Sequence, residues 1–246
     1  MAGRIRVGIG GWVYEPWRGT FYPQGLRQKD ELAYVGEHLT ATEINATYYS
    51  SQKPATFAGW AKAVPDGFQF AVKASRYCTN RRMLAEGGES IAKFVGQGIA
   101  ELGDRLGPIL WQFMATKQFD PDDFGAFLKL LPASVDGVPL RHAIEVRHDS
   151  FDDPAFLAMT QAAGAAVVLA DHDEYPAIRG LDVGFSYLRL MRTREDWPTG
   201  YNKTDMKGWR DEAQALAQRG DVFTFFISGA KVRNPAAAQA MIVSLG

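Results

Sequence analysis

The stretch Ala143-Ile144-Glu145-Val146-Arg147-His148-Asp149-Ser150-Phe151 (AIEVRHDSF) starts as a buried strand and then places a carboxylate and a guanidinium two residues apart. Side chains alternate across a strand, so Glu145 and Arg147 share one face while Ile144 and Val146 share the other. One face of this strand is therefore oily to its end, and the other turns ionic near its C-terminus. Which sheet tolerates that pattern decides the fold.

Seven further strand-like runs surround it in the sequence, giving eight at 5–10, 41–47, 68–74, 108–113, 142–147, 165–171, 185–191 and 222–228. Most are separated by helical segments. Asp120-Pro121 opens a helix with Phe124, Phe127, Leu128 and Leu131 on one side and Pro132 as its stop, and Asp153-Pro154 opens the next. Ile91, Phe94, Val95, Ile99 and Leu102 stripe an earlier helix, and Met206, Trp209, Ala213 and Leu216 a later one that closes at Gly220. The connection 173–180 is too short for more than a turn or two. Strand alternating with helix implies a parallel sheet, either open and doubly wound or closed as a (β/α)8 barrel.

Parity separates the two. An open sheet is covered by helices on both faces, whereas a barrel turns one face into a lumen whose upper layer meets the site-bearing mouth. The reading places Thr42, Ile44, Ala46, Phe70, Val72, Ala74, Ile144, Val146, Leu188, Leu190, Phe223, Phe225 and Ile227 toward the helices. It places Glu43, Asn45, Thr47, Lys73, Gln112, Glu145, Arg147, Asp171, Arg189 and Ser228 toward the lumen, all late in their strands. The expectation is an α/β protein, a single TIM-type (β/α)8 barrel spanning residues 1–246.

Composition narrows the function classes. Twenty-seven basic against 28 acidic residues give a net charge of −1, so no global field recruits nucleic acid or an anionic membrane. A lone Cys78 excludes an intramolecular disulfide and reads as a small buried or loop thiol. No secretory leader and no run of 18 apolar residues is evident, so the chain is expected to be cytoplasmic. The GIGG at 8–11 lacks the continuation of a dinucleotide fingerprint, and neither a phosphate-binding Walker loop nor a serine nucleophile elbow occurs; no cofactor is expected.

Candidate chemistry follows from the lumen set. Glu43, Glu145 and Asp171 bring carboxylates together, and Lys73, Arg147 and Arg189 bring matching cations. Glu145, Lys73, Asp171 and Glu43 are the candidate catalytic residues: Glu145 for proton transfer, Lys73 for stabilising developing negative charge, Asp171 as a second acid or as the partner of Lys73. Arg147 and Arg189 suit an anion, and Asn45 beside Glu43 suits hydroxyl groups. Gln112, Trp12, Tyr14 and Tyr49 complete the candidate binding set. The competing structural reading is a network of lumen salt bridges that only fills space. A metal site from Glu145, His148, Asp171 and His172 is disfavoured, because each histidine directly follows a residue read as lumen-facing and should turn away. Aromatic residues interleaved with Arg76, Arg81 and Arg82 keep a nucleic-acid binder or phosphodiester-processing barrel as the alternative.

The opening GGWVYEPWRGTFYP (10–23), then EINATYYS (43–50), FQFAVKASRYCTN (68–80), LGPILWQF (106–113) and AIEVRHDSF resemble the YecE-like family, a domain family of unknown function. The resemblance covers nearly the whole chain and implies a TIM-barrel-like fold with a polar cleft at the strand C-termini. It supplies no reaction. Relative to that family's pattern, Asn80 and Met191 stand where histidines are expected, and Arg192 follows Met191 where a glycine is expected. The end of the eighth strand reads Phe226-Ile227-Ser228-Gly229 where paired asparagines are expected, and Met114 and Ala115 replace the prolines expected after Gln112. The resemblance therefore implies either another substrate or a catalytically degenerate member. The partner expected is a small anionic or polar molecule; oligomeric state is not encoded in any motif.

Overall fold

A computed structural model describes residues 2–246. Eight parallel strands close on themselves: β1 (Ile5–Gly10), β2 (Ala41–Ile44), β3 (Gln69–Lys73), β4 (Leu106–Gln112), β5 (His142–Glu145), β6 (Ala166–Asp171), β7 (Phe185–Leu190) and β8 (Asp221–Phe226). Each strand pairs with its neighbour in sequence, and β8 returns to β1 with Ile5 opposite Val222 and Ile9 opposite Phe226. All eight expected strands form, and the barrel is closed. A two-residue antiparallel ribbon, Ser134–Val135 with Val138–Pro139, decorates the connection before β5.

The helix signals act as read. Asp120 accepts from the amides of Asp122 and Asp123 at 3.0 and 3.1 Å to open Pro121–Leu130, and Asp153 accepts from Ala155 at 2.7 Å to open Pro154–Ala162. Lys203–Ala217 forms as one helix. The stripe from Ile91 to Leu102 is buried throughout but is divided: Gly88–Val95 is α-helical, and Ile99–Arg105 is 3-10 after Gly98 turns with φ 108°. Between the helices and the barrel lies a large apolar layer that includes Val7, Ile9, Trp111, Phe127, Ile144 and Leu188.

The lumen is stacked in layers. At its N-terminal end Asp221 accepts from Arg6 at 3.0 Å and Arg141 at 3.3 Å, and Arg141 also holds Gln69 at 2.9 Å. The Arg141 guanidinium lies 4.8 Å from the Phe223 ring, which carries the plug into the apolar middle layer of Ala41, Ala71, Leu110, Ala143, Val168, Tyr187 and Phe225. Charged side chains resume above it. Above Arg6 the lumen face of β1 is glycine, Gly8 and Gly10: a Cβ on Gly8 would sit 2.0 Å from the Ala41 carbonyl oxygen.

Two parity assignments are corrected. Phe223, Phe225 and Ile227 face the lumen, while Val222 and Phe226 face the helices. On β6 the lumen face is Ala166, Val168 and Ala170, so Asp171 points outward. Both errors fall on strands that are apolar on both faces, where alternation carries no signal. Thr47 is the third difference: β2 ends at Ile44, the chain coils into Ala46–Tyr49, and the Thr47 hydroxyl donates to the Lys73 carbonyl at 2.7 Å.

Candidate functional site

Four lumen strands build a closed ion network below the mouth. Arg189 on β7 donates to both oxygens of Glu43 on β2 at 3.1 Å each and also to Glu145 on β5. Tyr187, two residues before Arg189 on the same face, donates to Glu43 at 2.7 Å. Arg147 and Gln112 both donate to the other oxygen of Glu145, at 2.8 and 2.9 Å. Glu43 and Glu145 are completely buried.

This saturation determines what the carboxylates can do. Burial pushes the Glu145 carboxyl up, but the charges of Arg189 and Arg147 and the bonds from Gln112 and Arg147 outweigh it and hold the group at about 2. A carboxylate so held, with both oxygens engaged, is a poor proton acceptor at neutral pH and is no acid there. Its bonds instead fix the Arg147 and Arg189 side chains.

Lys73 on β3 is the contrast. It is 9% exposed, and its ammonium makes no hydrogen bond or ion pair with any described residue; it rests 4.3 Å from the centroid of the Tyr48 ring. Burial, reinforced by Arg189, pushes it down to about 8 against the opposing pull of Glu43 and Glu145. Asn80, at one of the positions where a histidine was expected, donates to the Tyr48 hydroxyl at 3.0 Å and so fixes the ring beneath the amine.

Above the network opens a cleft of about 850 Å³ lined by polar groups and an aromatic wall. Lys73, Asn45, Gln112, Arg147 and Arg189 reach it, as do Trp12 and Tyr49, so seven of the eleven residues proposed from sequence converge there. Glu43 and Glu145 lie beneath it as the anchors of the arginines. Trp12 stacks edge-on to Trp60 with centroids 5.2 Å apart, while Tyr49 is 66% exposed. Tyr14 does not line the cleft; it packs on Trp17 and lies under the ammonium of Lys231, 4.2 Å away.

Asp171 is not brought to the network. It accepts from Arg192 and from the Tyr201 hydroxyl, each at 2.6 Å, and has no bond to Lys73. Residues missed in the sequence include Tyr187, Ile227 and Lys231. The spacing Tyr187-Leu188-Arg189 would have revealed the first, since residues two apart share a strand face. Lys231 follows β8 in a segment with no periodic pattern, and only its charge marks it.

Among the described residues no group of three or more His, Cys, Asp or Glu side chains is placed to hold a metal ion. His148 accepts from the Ser150 amide at 3.1 Å, and His172 accepts from the Glu174 amide at 3.0 Å while stacking on Tyr175. Cys78 is buried, and burial pushes its thiol up to about 12. Among the described residues no helix is long and apolar enough to cross a membrane.

Comparison with known proteins agrees with this architecture. The chain is 22% identical to the UPF0759 protein YunF of Bacillus subtilis (strain 168), over 90% of this chain and 88% of that one. A DUF72 family protein of Thermotoga maritima superposes with a TM-score of 0.76 at 21% identity, covering 98% of both chains. A xylose isomerase-like TIM barrel/4-hydroxyphenylpyruvate dioxygenase fusion protein shares the fold alone, with a TM-score of 0.57 at 14% identity over 99% of this chain and 43% of that one. The family model described as "Protein of unknown function DUF72" matches residues 6–246. That span takes in the mouth and all eight strands but for Ile5 of β1, and the chain belongs to the DUF72 family.

Proposed function

We propose that this chain is a metal-independent acid–base enzyme, of hydrolase, lyase or isomerase type, acting on a small anionic or polyhydroxylated substrate at the C-terminal mouth of the barrel. The observation that carries the reading is Lys73: a nearly buried amine without a counterion, facing a cleft, with its titration moved to about 8. An unpaired cation in such a place is unfavourable for folding, and groups of this kind concentrate where binding or proton transfer needs them.

In this reading Lys73 transfers the proton, a task first assigned to Glu145. Arg147, paired with Glu145, and Arg189, locked between two glutamates, fix the positive potential of the floor that favours an anionic substrate. Asn45 and Gln112 orient hydroxyl or carbonyl oxygens, and Trp12 and Tyr49 flank the body of the ligand. Glu43 and Glu145 act as positioning residues.

Amine acylation of the folded chain, followed by peptide mapping, tests this. Lys73 should react with a half-maximum near pH 8 rather than near the ordinary lysine value of 10.5, and small dianions should protect it. Reactivity at Lys73 with a half-maximum near 10.5 that ignores added anions would remove the basis for the proposal.

A second reading rests on a separate observation. Tyr49 and Tyr77 are 66% and 61% exposed beside the cleft, and the Arg76 guanidinium lies 5.3 Å from the Tyr77 ring, an arrangement that suits stacked bases. Arg81, by contrast, is occupied by the Tyr77 and Glu86 carbonyls and Ser90. Affinity for a single-stranded oligonucleotide that falls steeply with salt would favour a nucleic-acid barrel, and no binding at low salt would eliminate it.

A further inference from the structure

Charge pairing in the mouth leaves a remainder. Arg147 and Arg189 are matched by Glu145 and Glu43. Lys73 and Lys231 also line the cleft, and neither has a carboxylate partner; each ammonium lies over an aromatic ring instead, Tyr48 at 4.3 Å and Tyr14 at 4.2 Å. Two positive charges in one cleft therefore lack a partner, and a ligand with two negative charges would neutralise them.

The β8 end supplies a place for that charge. Ser228 has φ 60° and Gly229 has φ 55°. Among the described residues Asp136 is the one other non-glycine residue with positive φ, and it sits in the tight turn of the two-residue ribbon. Left-handed backbone at a serine is strained and is retained when its surroundings enforce it. Here the enforcement is visible: the Ser228 carbonyl accepts from the buried Asn234 side-chain amide at 3.2 Å, and Asn234 is itself held by the Thr193 hydroxyl, which donates to its Oδ1 at 2.7 Å. Carbonyl and amide point in opposite directions across a trans peptide, so the Gly229 N–H is turned away from those partners. Neither that N–H nor the Ser228 N–H donates to any described acceptor, and the Ser228 hydroxyl is likewise unused. Ser228 and Lys231 both line the cleft.

Unused amides, a hydroxyl and an ammonium gathered after the eighth strand are donors suited to a phosphoryl group, and TIM barrels commonly bind phosphate at this end. Resting on the reading that the cleft takes an anionic substrate, we infer that the ligand is a phosphomonoester whose dianionic phosphate is held by the Ser228-Gly229 turn and Lys231, leaving Lys73 to act on the rest of the molecule. A phosphomonoester carries close to two negative charges at neutral pH, as the unpaired lysines require.

Calorimetric titration with inorganic phosphate at neutral pH tests the placement. The wild-type chain should bind it, Lys231→Gln should weaken binding about tenfold, Ser228→Gly about threefold, and Lys73→Gln by less than Lys231→Gln. Ser228→Gly relieves the backbone strain while removing the hydroxyl, so a loss of affinity in that variant is not a loss of fold. Phosphate binding that depends on Lys73 or Arg147 but ignores Lys231 and Ser228 would overturn the phosphate site and leave the anionic cleft standing. No phosphate binding by the wild-type chain would overturn both.

Discussion

Arg189 and Glu43, 146 residues apart in sequence, meet within the barrel lumen through two hydrogen bonds of 3.1 Å each. Glu43 is completely buried and Arg189 almost so, and the same guanidinium reaches Glu145. Such a network stands or falls as a unit, because deleting one member strands a buried charge. Glu43→Ala should lower unfolding free energy by about 3–5 kcal/mol in urea denaturation. A change below about 1 kcal/mol would mean that water enters the lumen and solvates Arg189.

Lys73 should behave in the opposite sense. An unfolded lysine keeps its proton up to about 10.5, whereas in the fold the amine loses it near 8. The folded chain thus carries a penalty below pH 8 that disappears as pH rises from about 8 to about 10.5. Lys73→Met should raise stability at neutral pH by about 1–3 kcal/mol, after allowance for the lost contact with Tyr48, while weakening anion binding. Destabilisation by this variant would instead make Lys73 part of the structural network.

Acid stability follows from Glu145. Its folded carboxyl titrates near 2 against an ordinary value of 4.5, so its contribution is complete above about 4.5 and is lost as pH falls toward 2. The difference corresponds to roughly 3 kcal/mol. Urea midpoints measured from pH 5 downward should fall more steeply for the wild-type chain than for Glu145→Gln. Parallel slopes would show that Glu145 is not held as the geometry implies.

The ion plug at the opposite end provides a control. Burial pushes Asp221 up, but the Arg4 amide, Arg6 and Arg141 hold it below the ordinary carboxylate range. Asp221→Asn should cost about 1–3 kcal/mol, reduced from the fully buried case because the side chain is partly exposed, and should leave phosphate affinity unchanged. A change in affinity would couple the two ends of the lumen.

Much of this was legible in the sequence where a strand mixes polar and apolar faces. Glu43, Lys73, Gln112, Glu145 and Arg189 all lie on the face their alternation indicated. Alternation was silent on β6 and β8, whose lumen residues Ala166, Val168, Phe223 and Phe225 resemble their helix-facing neighbours. Asp171 followed that ambiguity to the wrong side and is held by Arg192 and Tyr201. Pairing was hidden as well. Spacing identified six charged groups for the mouth but not that Glu145 would be saturated or that Lys73 would be left unpartnered. Those outcomes depend on distances between strands far apart in sequence, and Lys231 enters through a turn set by Thr193 and Asn234.

The most direct test of the account is an NMR titration of the Lys73 side chain, with and without inorganic phosphate. In the free chain the amine should titrate near 8 and move upward when the dianion occupies the cleft. An amine that titrates near 10.5 and ignores phosphate would contradict it.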